Sequence, residues 1–423
     1  MSILGGTQMN SAPYRESPGN APYVIVGGGL AASKAAQTLR DEGFEGDLVV
    51  VTGEAHRPYE RPPLSKDYLR GEANRSAVFT VDESWYAQNA EVRTGEPATG
   101  LDTALRRLAL ADGSTIDYKK LLIATGSSPR PLPIPGADLQ GVHLLRTVEQ
   151  SDLLHAAIKD AEHVAIVGDG WIGMEVAASA RQLGREVTVF GLGAQPLERV
   201  LGPEMGLVFG RLHTDHGVEL LRRTQVAKIL GEEGRAVGVE TDEGKRVDAD
   251  VVLLAVGATP NTGLAVEAGI NLRPKELGGG IAVDGTLRTS GPDVWAAGDV
   301  ASIPSLHYGR PIRVEHWQTA LDSGPHAAKA MLGDEAPYDK LPYFFTDQYD
   351  LGMEYLGFVA GPDAYDEVVV SGSIESLEFV AFWTKGGRVL AGMAVNSWDR
   401  TAEIEALIRA ADPPSSEALQ SFR

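Results

Sequence analysis

Apolar and polar positions alternate along this chain in a repeating order. Tyr23-Val24-Ile25-Val26 is a short, continuous apolar run, which predicts a strand buried on both faces. Gly27-Gly28-Gly29 follows, and then apolar residues at helical spacing from Ala31 to Leu39, which predict a helix. Leu48–Thr52 is a second apolar run, so strand, helix and strand form a βαβ unit. Leu121-Leu122-Ile123-Ala124-Thr125-Gly126 predicts a third strand that ends in a glycine turn.

The same order returns further along. Val164–Val167 predicts a strand, Gly168-Asp169-Gly170-Trp171-Ile172-Gly173 a turn into a helix, and Glu186–Phe190 the second strand. Val251–Gly257 closes this half with another apolar run ending in glycine. The echo is a duplication of architecture, not a short-period repeat. Between the halves, Pro129–Gly136 carries four prolines, cannot be helical, and reads as a linker. Val294–Val300 predicts one more strand, now ending in Gly298-Asp299. From about Pro337 the chain turns aromatic and β-rich, as in Phe379–Trp383, which predicts a third, smaller α+β domain. The expected fold class is therefore α/β, with two Rossmann-like dinucleotide-binding domains and a smaller C-terminal α+β domain.

Composition narrows the function classes. The chain has 423 residues, 43% hydrophobic and 23% charged, which allows several domains and large cores. It contains no cysteine, so disulfides, thiolate metal sites and electron relay through a thiol are excluded. The formal net charge of −20 argues against general nucleic-acid binding, which needs a basic footprint. No run of eighteen apolar residues is present, so no membrane span is expected. Met1–Asn20 is rich in Ser, Gly, Asn and Pro, lacks the features of a signal peptide, and reads as a flexible leader. A cytoplasmic protein is expected. No P-loop, no Ser/His/Asp nucleophile setting and no metal-ligand cluster is apparent. His213-Thr214-Asp215-His216 lacks a useful metal spacing and reads as a solvated helix end.

The two glycine turns are the strongest chemical signal. A turn of the form G-x-G-x-x-[GA] after a strand lets the backbone approach a pyrophosphate and aims a helix N-terminus at its charge. Gly27, Gly29 and Ala32 set the first turn, with Leu30 and Ala31 offering backbone N–H groups, and Gly168, Gly170 and Gly173 set the second. Two such turns point to two dinucleotides, one held and one exchanged.

With these pieces in order, the chain resembles the FAD-dependent pyridine-nucleotide oxidoreductases, and more narrowly the ferredoxin and rubredoxin reductases that feed oxygenases and cytochromes P450. The residues that carry the resemblance are Arg61-Pro62-Pro63-Leu64-Ser65-Lys66, Ala124-Thr125-Gly126, Leu145-Arg146-Thr147, Gly168 to Glu175, Gly298-Asp299 and Asp347-Gln348-Tyr349. They run from about Tyr23 into the C-terminal domain. The disulfide reductases of the same superfamily carry a cysteine pair near the first of these segments, and this chain has none. The resemblance implies FAD in a discontinuous domain (21–140 and 259–336), NADH or NADPH in 141–258, and an interface domain at 337–423.

The resemblance also assigns roles. It places Gly53, Glu54, Arg61, Pro62, Ala98, Ala124, Thr125, Gly126, Arg130, Arg146, Gly298 and Asp299 around FAD, with Glu54 at the ribose and Asp299 at the ribityl chain or its phosphate. It places Glu175 and Trp317 at the nicotinamide, and Trp171, Ile172, Gly257, Glu315 and His316 are further cofactor-binding candidates. Lys66 would reach the isoalloxazine and favour its reduced, anionic form through charge complementarity. Glu175 would accept from the nicotinamide carboxamide, and Trp317 would stack on the nicotinamide ring. Lys66, Glu175 and Trp317 are thus the candidate catalytic residues, with no metal. Hydride would pass from NAD(P)H to the flavin, and electrons would leave singly to a 2Fe–2S ferredoxin or a rubredoxin. Such partners are usually acidic, so this acidic chain would need a local basic patch, for which Arg310 and Arg313 are candidates, or a partly apolar docking surface.

One feature departs from the pattern. The second strand of the nucleotide half ends in Phe190-Gly191-Leu192-Gly193, where an NADH site carries Asp or Glu and an NADPH site has arginine nearby. Neither is present, since Arg199 lies eight residues past Gly191, so NADH and NADPH both stay open. The alternative functions are an NAD(P)H oxidase or monodehydroascorbate-type reductase, and a redox-responsive interaction protein resembling apoptosis-inducing factor.

Overall fold

The computed structural model describes residues 21–422; the leader expected at 1–20 lies outside the described residues. Three five-stranded sheets organise the chain. The first has the order Val294–Ala296, Lys120–Ile123, Tyr23–Val26, Leu48–Thr52, Glu91–Thr94, all parallel. Tyr23–Val26 and Leu48–Thr52 are buried along their whole length, as central strands covered on both faces must be. The late strand Val294–Ala296 closes this early sheet, so the chain leaves it and returns. Helix Leu30–Asp41 follows the first glycine turn and packs on helix Trp317–Leu332. The two backbones approach so closely that a Cβ at Gly324 would lie 2.3 Å from the Ala31 carbonyl oxygen.

The second sheet has the order Val218–Leu221, Glu186–Phe190, His163–Val167, Val251–Leu254, Val142–His143, again all parallel. Both halves place a glycine turn at the carboxyl end of a central strand, where doubly wound sheets bind ligands. Ser127–Pro129 and Ala258–Pro260 pair antiparallel as the outgoing and returning connections between the two sheets. Arg130 N–H donates to the Gly257 carbonyl at 2.8 Å there, and Thr125 and Asn261 exchange two bonds of 2.8 Å. The proline-rich segment is non-helical as expected, and its Leu132 and Ile134 pack against the core of the second sheet.

The third sheet is antiparallel, in the order Tyr343–Gln348, Leu351–Gly357, Arg388–Val395, Glu378–Lys385, Glu367–Ser373. Helix Thr401–Arg409 packs Ile404 and Ile408 on one face. The opposite face shares a core with the helices of the second sheet, in which Met174, Phe209, Phe344, Met353 and Trp383 meet. Trp383 is fully buried there and donates its indole N–H to the Leu201 carbonyl at 3.0 Å. An aromatic of this size contributes roughly 4–6 kcal/mol of apolar burial, so the third sheet is fastened to the second half.

Three elements are shorter than the sequence predicts. The strand expected over Val294–Val300 stops at Ala296, and Gly298–Val300 is a single 3-10 turn. Gly298 has φ of +74° and gives its N–H to Ser323 Oγ at 2.9 Å, which takes the chain out of the sheet. The strands expected to reach Gly126 and Gly257 end at Ile123 and Leu254, where the chain leaves for the two connections. Among the described residues, no helix is long and apolar enough to cross a membrane.

Candidate functional site

The glycines of the two turns divide into two kinds. A Cβ at Gly27 would lie 2.1 Å from the Ala124 carbonyl oxygen, and one at Gly168 would lie 2.3 Å from that of Ala255. Both have positive φ, +153° and +115°, and serve the tight turn. A Cβ at Gly173 would meet the Gly168 carbonyl at 2.1 Å, so this glycine lets helix and strand pack; Ala32 takes that place in the first turn and is fully buried. Gly29 and Gly170 are different: a Cβ on either would meet nothing within 4 Å. They are the N-caps of helices Leu30–Asp41 and Trp171–Gln182, with no side-chain cap and no acid in the first turn. By contrast, helix Val148–Asp160 carries a full capping box from Thr147 and Gln150. Open space before an uncapped positive helix end fits a pyrophosphate at each turn.

The residues expected around the first turn converge on it. Glu54 lies beside Gly28, with Oε1 3.6 Å from a Cβ placed there. It is paired with Arg61 at 2.5 Å and accepts from the Tyr59 hydroxyl. Arg61 also donates to the Arg146 carbonyl at 3.1 Å. Arg146 in turn pairs with Asp299 at 2.6 Å. Gly53 packs against Pro97, next to Ala98. Arg130 is exposed, tied only through its backbone to the connection between the sheets.

The centre of the site is a buried ion pair. Lys66 follows the 3-10 turn Pro62–Ser65, and its Nζ lies 2.8 Å from Glu175 Oε2. The side chains are 11% and 6% exposed. Glu175 sits one turn into helix Trp171–Gln182, beyond the reach of the simple helix-end role that an acid can play. Its Oε2 also accepts from Ser65 Oγ at 2.5 Å, and its Oε1 from Thr346 Oγ1 at 2.7 Å. Lys66 donates to the Pro62 carbonyl at 3.3 Å. A carboxylate has about four acceptor positions, and three are taken here, which leaves one on Oε1.

Aromatic rings lie to one side of Lys66. Lys66 Nζ is 6.0 Å from the Phe345 ring centre, and Phe345 meets Trp317 edge-on at 5.8 Å. Burial raises the Glu60 carboxyl above its usual range, and the Trp317 indole nitrogen is buried without a hydrogen-bond partner. Trp171 packs on Phe344 at 4.8 Å and on Phe209 at 5.7 Å, while Ile172 is exposed. His316 lies against Phe344 at 4.7 Å, and burial pushes its imidazole down to about 3, so it is neutral near pH 7. Glu315 is exposed and paired with Arg313 at 2.6 Å. That pairing corrects one expectation: Arg313 is 11% exposed and also donates to the Asp299 carbonyl, so it is no free docking cation.

A second correction concerns His213. It was expected at a solvated helix end, yet it is fully buried. Its Nε2 bonds Gln348 Oε1 at 2.7 Å, and the Gln348 amide donates to Thr346 at 3.2 Å. Burial pushes its imidazole down to about 4. Exposed His216 stacks on Tyr349 at 3.7 Å. Thr346, Gln348 and Phe345 were not identified as site residues, although a signal was present. In Tyr343–Gln348 the alternation puts Phe344, Thr346 and Gln348 on the buried face, and two polar residues there require partners.

Fold and site together set two glycine turns at the ends of parallel sheets and one buried Lys–Glu pair in a single chain. The chain belongs to the pyridine nucleotide-disulphide oxidoreductase family, which it matches over residues 21–324, and residues 343–421 match the reductase C-terminal domain. It is 36% identical to rhodocoxin reductase of Rhodococcus erythropolis over 88% of this chain and 86% of that one. It is 34% identical to human apoptosis-inducing factor 3 over 91% of this chain but 62% of that longer protein. The reductase in the crystal structure of the covalent putidaredoxin reductase–putidaredoxin complex superposes with a TM-score of 0.89 at 32% identity, covering 95% of this chain and 96% of that one.

Proposed function

We propose that the chain is an FAD-containing, NAD(P)H-dependent ferredoxin reductase that passes electrons to a 2Fe–2S ferredoxin or a rubredoxin serving an oxygenase or cytochrome P450. The observation that carries this reading is the buried Lys66–Glu175 pair, which joins the segment after the first turn to the helix of the second. The absence of cysteine supports it, because electrons must then leave without a thiol relay. Likeness to rhodocoxin reductase and to the reductase of the putidaredoxin complex supports the choice of acceptor. A cytoplasmic location fits a NAD(P)H-dependent enzyme.

Bound FAD would supply the conversion of a two-electron hydride donor into one-electron steps. The protein's part is position and electrostatics. The first turn would hold the FAD pyrophosphate, with Glu54 at the adenosine ribose, Asp299 at the ribityl chain or its phosphate, and Arg146 beside Asp299. Gly168, Gly170 and Gly173 hold the pyrophosphate of the nicotinamide nucleotide. Lys66 would present its ammonium to the isoalloxazine, and the three bonds on Glu175 fix that carboxylate in one rotamer. The remaining acceptor position on Glu175 would orient the nicotinamide carboxamide, and Trp317 would offer its ring face.

Rapid mixing under anaerobic conditions tests this. NADH or NADPH should bleach the yellow protein, and Glu175→Gln should slow that step about 10- to 100-fold, the range of a lost hydrogen bond to a charged group. Reoxidation by ferricyanide should be unchanged in the variant. Equal reduction rates would remove Glu175 from the mechanism. Very slow reduction of the native protein, with a long-lived charge-transfer band, would favour the switch-like role suggested by the likeness to apoptosis-inducing factor 3.

A further inference from the structure

Gly191 stands where the adenosine-binding acid of a dinucleotide site belongs, and the structure shows what occupies the space. A Cβ on Gly191 would lie 2.1 Å from Asp169 Oδ2, 2.6 Å from its Cγ and 3.1 Å from its Cβ. The carboxylate of Asp169, the middle residue of the second glycine turn, therefore fills the start of the volume that a strand-end side chain would take. The geometry is held from several sides. Gly168 N–H donates to the Phe190 carbonyl at 2.9 Å, Gly191 N–H to that of Leu221 at 3.0 Å, and Leu197 N–H to that of Asp169 at 3.0 Å. The charged groups facing Asp169 are Glu198 and Arg199. Glu198 accepts from Gln195 N–H at 2.9 Å, and Arg199 is exposed. Leu192, next along the chain, is 74% exposed and offers an apolar surface beside the carboxylate.

We propose that Asp169 supplies from the turn the carboxylate missing from the strand end, and makes the protein selective for NADH over NADPH. The inference rests on reading the second turn as the nicotinamide-nucleotide site. The diol of the adenosine ribose offers two O–H donors to one carboxylate. A 2′-phosphate would bring at least one further negative charge against Asp169 and Glu198, while the exposed Arg199 is screened by solvent. Leu192, exposed next along the chain, would offer its side chain as an apolar surface to the adenine. Asp169 and Gly191 are a matched pair: any side chain at 191 would displace the carboxylate.

The test is calorimetric binding of 5′-ADP and 2′,5′-ADP to the FAD-loaded protein, alongside kcat/KM for NADH and NADPH. The native protein should bind 5′-ADP more tightly than 2′,5′-ADP. Asp169→Asn, which keeps the shape against Gly191, should weaken 5′-ADP about 10- to 100-fold and shrink the NADH preference by a similar factor. The exchange Asp169→Gly/Gly191→Asp returns a carboxylate to the strand end and should recover much of the preference. An unchanged flavin spectrum shows that each variant is folded. Failure of the native protein to bind either nucleotide would overturn the reading of the turn itself. Binding of 5′-ADP that is indifferent to Asp169→Asn, or equal affinity for the two ligands, would overturn this proposal alone.

Discussion

Replacing Lys66 by Met tests the ion pair at the centre of the site. The substitution keeps the side chain's length and apolar stem but removes the ammonium 2.8 Å from Glu175. Glu175 is 6% exposed, so its charge stays in a poorly solvated place with only the Ser65 and Thr346 hydroxyls to hold it. Removing one member of a buried pair costs about 3–5 kcal/mol, chiefly through the charge left behind. The two remaining hydroxyl bonds set the expected loss at the lower end, about 3 kcal/mol. If the cause is the stranded charge, adding Glu175→Gln should relieve it. The double variant should lie within about 1 kcal/mol of the native protein, far short of the sum of the singles. Urea unfolding of the FAD-loaded proteins, followed by circular dichroism, gives all four corners of the cycle. A loss below about 1 kcal/mol for Lys66→Met, or additive losses in the double variant, would refute the reasoning.

Two other consequences are open to direct measurement. Gly324→Ala would set a Cβ 2.3 Å from a backbone oxygen of the helix that follows the first turn. It should destabilise the protein by about 1–3 kcal/mol and speed FAD release, read by the melting temperature and by flavin fluorescence. His213 is held neutral by burial, with its imidazole down from 6.5 to about 4. The unfolded chain binds the extra proton more readily, so the stability His213 confers is present above pH 6.5 and lost as pH falls toward 4. That amounts to about 3 kcal/mol, and His213→Gln should flatten the stability profile in this window, measured by urea midpoints across pH.

The strand–turn–helix units were legible in the sequence because their determinants are local. A strand buried on both faces must be a continuous apolar run, and a turn that meets a pyrophosphate must carry its glycines at fixed spacing. Tyr23–Val26 and Leu30–Asp41 fall within two residues of the reading. Sheet strands ending in glycine were read too long, because apolarity continues past the last paired residue, as at Ala297. What required three dimensions was convergence. Ser65, Lys66 and Thr346 lie far from Glu175 along the chain, and no pattern in the sequence states that its carboxylate accepts from all three. His213 looked solvated because its neighbours Thr214 and Asp215 are exposed, while its partner Gln348 lies on another sheet. Gly191 read as a missing acid for the same reason: the carboxylate that fills its place comes from a turn 22 residues earlier in the chain (191 − 169).

Whether the acceptor is an iron–sulfur protein is decided by steady-state cytochrome c reduction with the FAD-loaded protein and NADH. A 2Fe–2S ferredoxin is titrated into the assay, and a rubredoxin is titrated separately. The account predicts little reduction without the carrier and a saturable, carrier-dependent rise with one of them. A rate indifferent to both carriers, with oxygen or a small quinone accepting electrons equally fast, would contradict it.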